Sequence, residues 1–272
     1  MNVNLRNGLG QTLLFKAARG ARLLIIKYLV EKCKADVTLI DKLGRNIFCY
    51  SAQKGDLKVP KYLLDEQKLE ISLNNSLVIH DAIAQSYKVR PSKRAHFMKY
   101  FVEGKGMNVN GRDKGGKTPV HIAAREGTLN TVKFLVHHGG DIRLTTLKGQ
   151  TPLHLAASEG KLSIVDYLVQ LEADIQLKDS QGKTPLHLAA KEGKLCVVNY
   201  LVRRGANICS RDSNGMIPLQ LASNKNVIKY LEKINNKRSS FNSTTSDFNT
   251  STREMGDTNN RITIKGPSPM NQ

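Results

Sequence analysis

Three histidines recur at a constant spacing in the middle of the chain, and an imidazole can serve as a metal ligand or as a general acid or base near neutral pH. His121, His154 and His187 each lie three residues after a threonine, and the steps between them are 33 residues. A metal or catalytic role would require the three rings to converge on one site. A structural role would place one ring in each of several similar units, so the surrounding elements decide between the two.

The segment around each histidine is copied almost unchanged. Gly182–Gly193 reads GKTPLHLAAKEG, Gly149–Gly160 reads GQTPLHLAASEG and Gly116–Gly127 reads GKTPVHIAAREG. The next step along the chain reaches Gly215, where the sequence reads GMIPLQ. One motif in each fixed period of this length predicts stacked repeats and argues against one closed globule.

Each residue type in the motif has a local role, and together they predict a turn followed by two antiparallel helices. The first glycine, as at Gly149, suits a tight turn with positive φ. Thr151 then caps the first helix, and Pro152 takes its first position, where a missing N–H costs nothing. Gly160 ends that helix, and apolar residues at helical spacing from Leu162 onward predict the second.

The repeated motif resembles that of the ankyrin-repeat family, and the resemblance extends from about Asn7 to about Ile234. It implies an all-α repeat solenoid of about seven helix-turn-helix repeats with short β-turn fingers. It also implies that each histidine hydrogen-bonds its own threonine and the backbone of the neighbouring loop, which ties the repeats together. A metal-binding or catalytic role of the histidines stays open as the alternative.

We predict two parts in the chain, an ankyrin-like repeat array over residues 1–235 and a disordered polar tail over residues 236–272. The tail has too few apolar residues to offset the entropy lost in ordering its backbone. The repeats of the array are expected near residues 7–40, 41–72, 73–110, 111–143, 144–176, 177–209 and 210–235.

The third repeat departs most from the motif, because its threonine and proline are lost and it carries an insertion at residues 86–95. We place the insertion in the connection between the two helices, where a repeat array tolerates extra residues. Its basic side chains are Lys88, Arg90, Lys93 and Arg94. We expect a solvated loop here, with a partner contact and a weak nuclear-import signal as alternatives.

The sequence offers no recognisable enzyme site. It lacks a glycine-rich phosphate loop, a nucleophile elbow and a pair of metal-binding histidines on one helix. His137 and His138 are adjacent at a predicted helix end, where a positive or polar group suits the helix dipole. We therefore predict no catalysis, no cofactor, no metal and no small-molecule substrate.

The cysteines and the amino terminus bear on the compartment. The 4 cysteines form no Cys-x-x-Cys pair, which is typical of a protein kept in reducing surroundings. The first residues lack the apolar core of a signal peptide. We predict a cytoplasmic location, with the nucleus and the cytoplasm of a host cell as alternatives.

The formal net charge of +19 allows several kinds of partner. An acidic protein, a nucleic acid or an anionic membrane would each be attracted, and a solvated lysine-rich face is the plain alternative. Nucleic-acid recognition has no support from a motif, since the sequence shows no basic strip interleaved with aromatic residues, no recognition helix and no zinc-ligand spacing. A basic module that docks on nucleic acid or anionic membrane is therefore our second hypothesis.

Our first hypothesis is a non-catalytic, monomeric scaffold or adaptor that binds a protein on the concave face of the repeats, one form being a microbial effector acting on host proteins. Comparison of the copies shows which residues the fold leaves free to vary, and these lie at the finger tips and on the first helices. An exposed leucine among lysines suits a partner with acidic groups around an apolar anchor. The predicted partner-binding residues are Lys114, Lys117, Arg125, Leu147, Lys148, Gln150, Ser158, Ser180, Gln181, Lys183, Lys191, Ser213 and Asn214.

Overall fold

The computed structural model describes residues 2–69, 77–84, 90–126 and 128–237. Throughout these residues the regular elements are helices, and none of them is long and apolar enough to cross a membrane. Of the predicted disordered tail, residues 236 and 237 are described and are helical. The rest of that prediction lies outside the described residues.

Over the described residues the helices come in pairs, each with a first helix and a second helix. The first helices are α1 (Leu13–Arg19), α3 (Ile47–Ala52), α5 (Val78–Ala84), α7 (Pro119–Glu126), α9 (Pro152–Glu159), α11 (Pro185–Lys191) and α13 (Pro218–Leu221). The second helices are α2 (Leu23–Glu31), α4 (Lys58–Lys61), α6 (Pro91–Lys99), α8 (Leu129–His137), α10 (Leu162–Gln170), α12 (Leu195–Arg203) and α14 (residues 225–237). Helices α4 and α6 continue as π-helical turns over Tyr62–Glu66 and Tyr100–Gly104. The predicted all-α repeat architecture is confirmed.

One compact unit spans Met1–Ile228. Within it each first helix packs against the first helix of the next repeat, from α1 through α13. The second helices α8, α10 and α12 also pack in sequence, as expected for a stack in which each repeat contacts its neighbours. The second unit is Lys229–Gln272, of which residues 229–237 are described and belong to α14. The repeat boundaries and the division at residue 235 stay predictions.

The fifth repeat, formed by α9 and α10, shows how the motif builds one unit. Thr151 is extended and caps α9, its hydroxyl accepting from the backbone N–H of His154. Gly160 ends the helix at φ +74°, in the left-handed region that favours glycine. Ala156 and Ala157 are fully buried. Their small side chains allow the neighbouring first helices to approach closely.

The first three repeats fill their core with large aromatic side chains. Phe15 occupies the histidine position of the first repeat and stacks on Tyr50, with 4.9 Å between the ring centroids. Phe97 and Phe101 lie 4.9 Å apart in the second helix of the third repeat, and both are fully buried. Such aromatic pairs contribute roughly 0.5–1.5 kcal/mol beyond their buried area. The irregular repeats are therefore held together by different side chains than the regular ones.

The prediction of a solvated loop over residues 86–95 is wrong for its second half. Helix α6 begins at Pro91, so residues 91–95 are helical, and Arg94 is buried. The physical reason is that proline suits the first position of a helix, and Arg90 before it is extended. Arg90 and Lys93 are exposed, whereas Lys88 lies outside the described residues.

Candidate partner-binding surface

A four-residue turn precedes the first helices α1, α3, α7, α9, α11 and α13, and we call these turns fingers. The corresponding residues of the third repeat lie outside the described residues. The fingers are residues 7–10, 41–44, 113–116, 146–149, 179–182 and 212–215. In the finger at 179–182, one carboxylate oxygen of Asp179 accepts from the backbone N–H groups of Gln181 and Lys183, each at 2.9 Å. Asp41, Asp113 and Asp212 make the same pair of bonds in their own fingers. The aspartate therefore shapes the turn through this oxygen.

Neighbouring fingers are joined by one backbone hydrogen bond each. The bonds run from Leu147 N to Gly115 O at 3.0 Å, from Ser180 N to Lys148 O at 3.0 Å, and from Ser213 N to Gln181 O at 2.9 Å. Because this ladder uses mainly backbone atoms, most side chains at the tips are left to face solvent, although the Ser180 hydroxyl also donates to the carbonyl of Lys148 at 2.8 Å. The fingers thus present a row of side chains held at a fixed spacing.

The structure places the predicted partner-binding residues in two groups. The exposed group consists of Lys114, Leu147, Lys148, Ser180, Gln181, Lys191, Ser213 and Asn214. The half-buried group consists of Lys117, Arg125, Gln150, Ser158 and Lys183. Leu147 is 76 % exposed at a finger tip, and Lys148 beside it is exposed too. Their role in binding stays a prediction.

Some of these basic residues already have a partner within the chain. The ammonium group of Lys114 donates to the backbone carbonyl of Lys42. This bond joins the finger at 113–116 to the finger at 41–44 of the second repeat. Arg125 forms an ion pair with the adjacent Glu126, and Lys191 lies 4.0 Å from Glu192. These contacts are at the surface, where an ion pair contributes at most about 1 kcal/mol. The basic residues can therefore exchange them for a partner at little cost.

The repeated histidines lie beneath the fingers and join the repeats. Nδ1 of His154 accepts from the backbone N–H of Thr151 at 3.2 Å and from its hydroxyl at 2.8 Å. Nε2 of the same ring donates to the carbonyl of Lys183, in the next repeat, at 3.1 Å. His121 and His187 make the same contacts with their own threonines and with the carbonyls of the next repeats. The predicted structural role is confirmed by these bonds.

The environment of these histidines favours the neutral ring. Burial lowers the pKa of His121 to about 4, and it also lowers the pKa values of His154 and His187. A neutral ring with Nε2 protonated satisfies every contact, because Nδ1 then accepts and Nε2 donates. Both nitrogens are engaged in each repeat, so these rings do not meet at one site. Among the described residues no group of three His, Cys, Asp or Glu side chains is placed to hold a metal ion.

The histidine of the third repeat keeps its hydrogen bond to the next repeat but lacks the hydrogen bonds to a threonine of its own repeat. Nε2 of His80 lies 2.9 Å from the carbonyl of Lys117, as in the regular repeats. Leu77 stands where the others carry threonine, and Nδ1 of His80 is buried without a hydrogen-bond partner. The comparison shows that the threonine serves the ring as well as the helix.

Sequence reasoning missed a polar cluster formed by the second finger, the residue after it and the first helices of the second and third repeats. Tyr50 donates to Asp41 at 2.6 Å, and Arg45 lies 2.8 Å from the same carboxylate. Burial raises the pKa of the nearby Asp81 to about 6, although the charge of Arg45 acts in the opposite direction. The signal was present in the sequence, since Tyr50 and Asp81 fill the position that holds Leu155 in the fifth repeat.

Two further exposed leucines lie at finger tips that the prediction did not include. Leu9 and Leu43 occupy the tips of the first two fingers and are 62 % and 52 % exposed. Their positions match Lys148 in the fifth repeat, one residue before the finger glycine. The prediction used the regular repeats alone and therefore left these two leucines out.

Comparison with known proteins agrees with this geometry. A family model described as ankyrin repeats (3 copies) matches residues 1–75, 86–179, 137–212 and 176–245, which together span well over half of the chain. Among curated proteins, delta-latroinsectotoxin-Lt1a of Latrodectus tredecimguttatus is 35 % identical over 51 residues. That match covers 19 % of this chain and 4 % of the toxin, so the chain spans a small part of that relative.

Proposed function

Since this chain belongs to the family of ankyrin-repeat proteins, we propose that it is a non-catalytic scaffold or adaptor that holds a partner protein on its fingers and first helices. Ankyrin repeats are in general modules for binding other proteins. The observation that carries the proposal is Leu147, 76 % exposed at a finger tip beside the exposed Lys148. An apolar side chain held at a fixed position among lysines can fill a pocket on a partner and so anchor an interface.

The partner we propose presents acidic groups around an apolar segment. Exposed Lys114, Lys148 and Lys191 would attract such a partner and speed its approach. Leu147, with Leu43 and Leu9 further along the fingers, would supply the apolar contacts. The monomeric state, the cytoplasmic location and an action on host proteins stay predictions.

Charge reversal tests the proposed face. The triple variant Lys114→Glu, Lys148→Glu and Lys191→Glu should capture its partners roughly tenfold less well or worse, because three attractions become repulsions. Leu147→Ala in the same assay should weaken capture by removing the apolar anchor. The measurement is affinity purification with quantitative mass spectrometry, and circular dichroism should show unchanged helix content since all four side chains are exposed.

A matched control uses basic residues on second helices. Lys61, Lys133 and Arg203 are exposed on α4, α8 and α12, and their reversal changes the net charge by the same amount. We expect this control to capture the same partners as the unmodified chain. Equal capture by the unmodified chain and the finger variant would refute the proposed face, and equal loss in both variants would point to net charge alone.

The second candidate function, docking on nucleic acid or anionic membrane, is supported by the net charge of +19. Binding of this kind releases counterions and falls steeply as salt rises. Titration of the chain against random DNA and against acidic liposomes at increasing ionic strength separates the two functions. Strong binding at low salt that disappears at physiological salt, with no protein captured, would favour this candidate.

A further inference from the structure

One buried cation in the described part of the chain has no counter-charge. Arg94, in the first turns of α6, is 4 % exposed. Its Nη1 atom is buried without a hydrogen-bond partner, and its side chain takes part in none of the ion pairs that the described residues form. Arg45 of the second repeat, which is only half-buried, is paired with Asp41 at 2.8 Å. Among the described residues, Arg94 therefore lacks the ion pair that Arg45 has.

A guanidinium in this position needs an anion. Burial without a counter-charge lowers the pKa of Arg94, but an arginine stays protonated at every physiological pH. A buried charge that is neither paired nor hydrogen-bonded is strongly unfavourable, and native proteins almost always supply a partner. Since none of the described residues supplies one, we expect the partner to come from solution.

A cavity of about 370 Å³ lies beside Arg94, between α6 and α8. Besides Arg94, its polar lining consists of Ser92, Thr128, Asn130 and Thr131. Thr128 is the N-cap residue of α8, and its hydroxyl makes no capping bond to the helix but lies 3.2 Å from the hydroxyl of Thr131. The amino-terminal end of α8, a helix of nine residues, therefore faces the cavity with its partial positive charge.

The regular repeats provide an internal control for this site. Thr131 stands where the fifth and sixth repeats carry Ile164 and Val197, which are buried and apolar. Arg94 belongs to the extra turn that α6 has at its start, whereas α10 and α12 begin immediately after Lys161 and Lys194. Two separate departures from the repeat pattern, one on each helix, thus meet at one cavity. Neither is needed to stack the repeats.

We propose that this cavity binds a phosphate monoester group, with Arg94 as its charged donor and, as neutral donors, the hydroxyl of Ser92, the amide of Asn130 and the one hydroxyl of the Thr128–Thr131 pair that does not donate within the pair. A tetrahedral dianion can accept from donors on two helices at once and gains from the helix end as well. A planar carboxylate would engage the guanidinium but would leave part of this donor set unused. The site is separate from the finger surface and does not depend on the proposed scaffold role.

Calorimetric titration of the full chain with inorganic phosphate tests the site, at constant ionic strength adjusted with chloride. We expect saturable binding that Arg94→Met weakens about tenfold or more, as expected for the loss of a charge-assisted hydrogen bond. Thr131→Val, which restores the side chain typical of the regular repeats, should weaken binding severalfold without changing the fold. Lys93→Met, at an exposed position in the same turn, is the matched control and should bind within about twofold of the unmodified chain.

Urea unfolding tests the same site if a variant is too unstable or too poorly soluble for calorimetry. In phosphate-free chloride, Arg94→Met should be at least as stable as the unmodified chain, because it removes an unpaired buried charge. Added phosphate should raise the unfolding midpoint of the unmodified chain and leave that of Arg94→Met unchanged. Absence of saturable binding, equal binding by Arg94→Met, or a response to acetate as large as that to phosphate would each overturn the proposal.

Two further ligands identify the source of the phosphate group. Competition by O-phosphoserine, without binding to vesicles, would assign a soluble phosphate monoester. Flotation with vesicles of phosphatidylcholine and phosphatidic acid that is lost in Arg94→Met would assign a lipid headgroup. Vesicle binding that survives Arg94→Met, together with no response to phosphate in solution, would refute the site.

Discussion

At the scale of single residues, one position decides how neighbouring repeats are joined. Three residues after each N-cap lies a side chain that can reach the next repeat, and in four repeats it is a histidine. A histidine joins two repeats because one nitrogen accepts from its own cap while the other donates across the boundary. Phe15 fills the same position by stacking on Tyr50, so a bridge by hydrogen bonds is replaced by one of aromatic contact.

Removal of one bridging ring should cost more than the loss of its volume. His154→Ala leaves Thr151 and the carbonyl of Lys183 without their buried hydrogen bonds, and it also leaves a cavity. We expect the free energy of unfolding to fall by about 2–4 kcal/mol. Urea unfolding followed by circular dichroism measures this change.

Gln220 provides the control for this prediction, because it occupies the same position in the last repeat. Its side-chain oxygen accepts from the N–H of Ile217 at 3.0 Å, but the residue is exposed. Gln220→Ala should therefore cost less than about 1 kcal/mol. A similar loss in both variants would show that the bridge to the next repeat adds nothing.

At the scale of elements, the finger glycines serve the contact between repeats as well as the turn. Gly182 has φ +72°, and a Cβ atom there would lie 2.7 Å from the backbone nitrogen of Ser213 in the next finger. Gly215 has φ +76° with nothing within 4 Å of such an atom. The two positions share the same backbone conformation and differ in whether a neighbour stands against them.

This pair predicts the cost of stacking two fingers. Gly215→Ala should lose about 1 kcal/mol, the usual cost of a left-handed conformation with a Cβ. Gly182→Ala should lose roughly 2–3 kcal/mol, because the finger at 212–215 must also move and its hydrogen bond to Gln181 weakens. Thermal or urea unfolding of both variants gives the difference. Equal losses would mean that the finger ladder carries no stability.

The sequence predicted the structure correctly where the local preference of each residue and the repeat pattern indicate the same element, and incorrectly where the two indicate different elements. The regular repeats were predictable because Thr151, Pro152 and Gly160 each favour the same helix ends that the stack requires. The start of α6 was not, since the basic insertion suggested solvent while Pro91 suggested a helix. Burial of Arg94 could not be inferred, because it depends on packing between α6 and α8. Exposure of the finger tips followed from the motif, but which of them bind a partner does not.

At the scale of the whole molecule, buried histidines link stability to pH. Burial lowers the pKa values of His80, His121, His154 and His187, so folding releases their protons in mildly acidic solution. The unfolded chain binds these protons more tightly, with a histidine pKa near 6.5. Their contribution to stability is therefore complete above that pH and falls as the pH drops. Asp81 has the opposite sign, since its raised pKa of about 6 makes its contribution largest in acid and reduces it as the pH rises.

The histidines outnumber Asp81, so we expect the free energy of unfolding to decrease between pH 7 and pH 5. For His121 alone, a shift from 6.5 to about 4 corresponds to roughly 2 kcal/mol over this interval. His121→Gln is the variant that isolates this contribution, because glutamine is tolerated at the same position in the last repeat. Urea unfolding at a series of pH values should show a shallower decrease in this variant than in the unmodified chain. The same slope in both would mean that the ring of His121 takes up a proton as readily in the folded as in the unfolded chain, and it would contradict the acceptor role of Nδ1 toward the backbone N–H of Thr118.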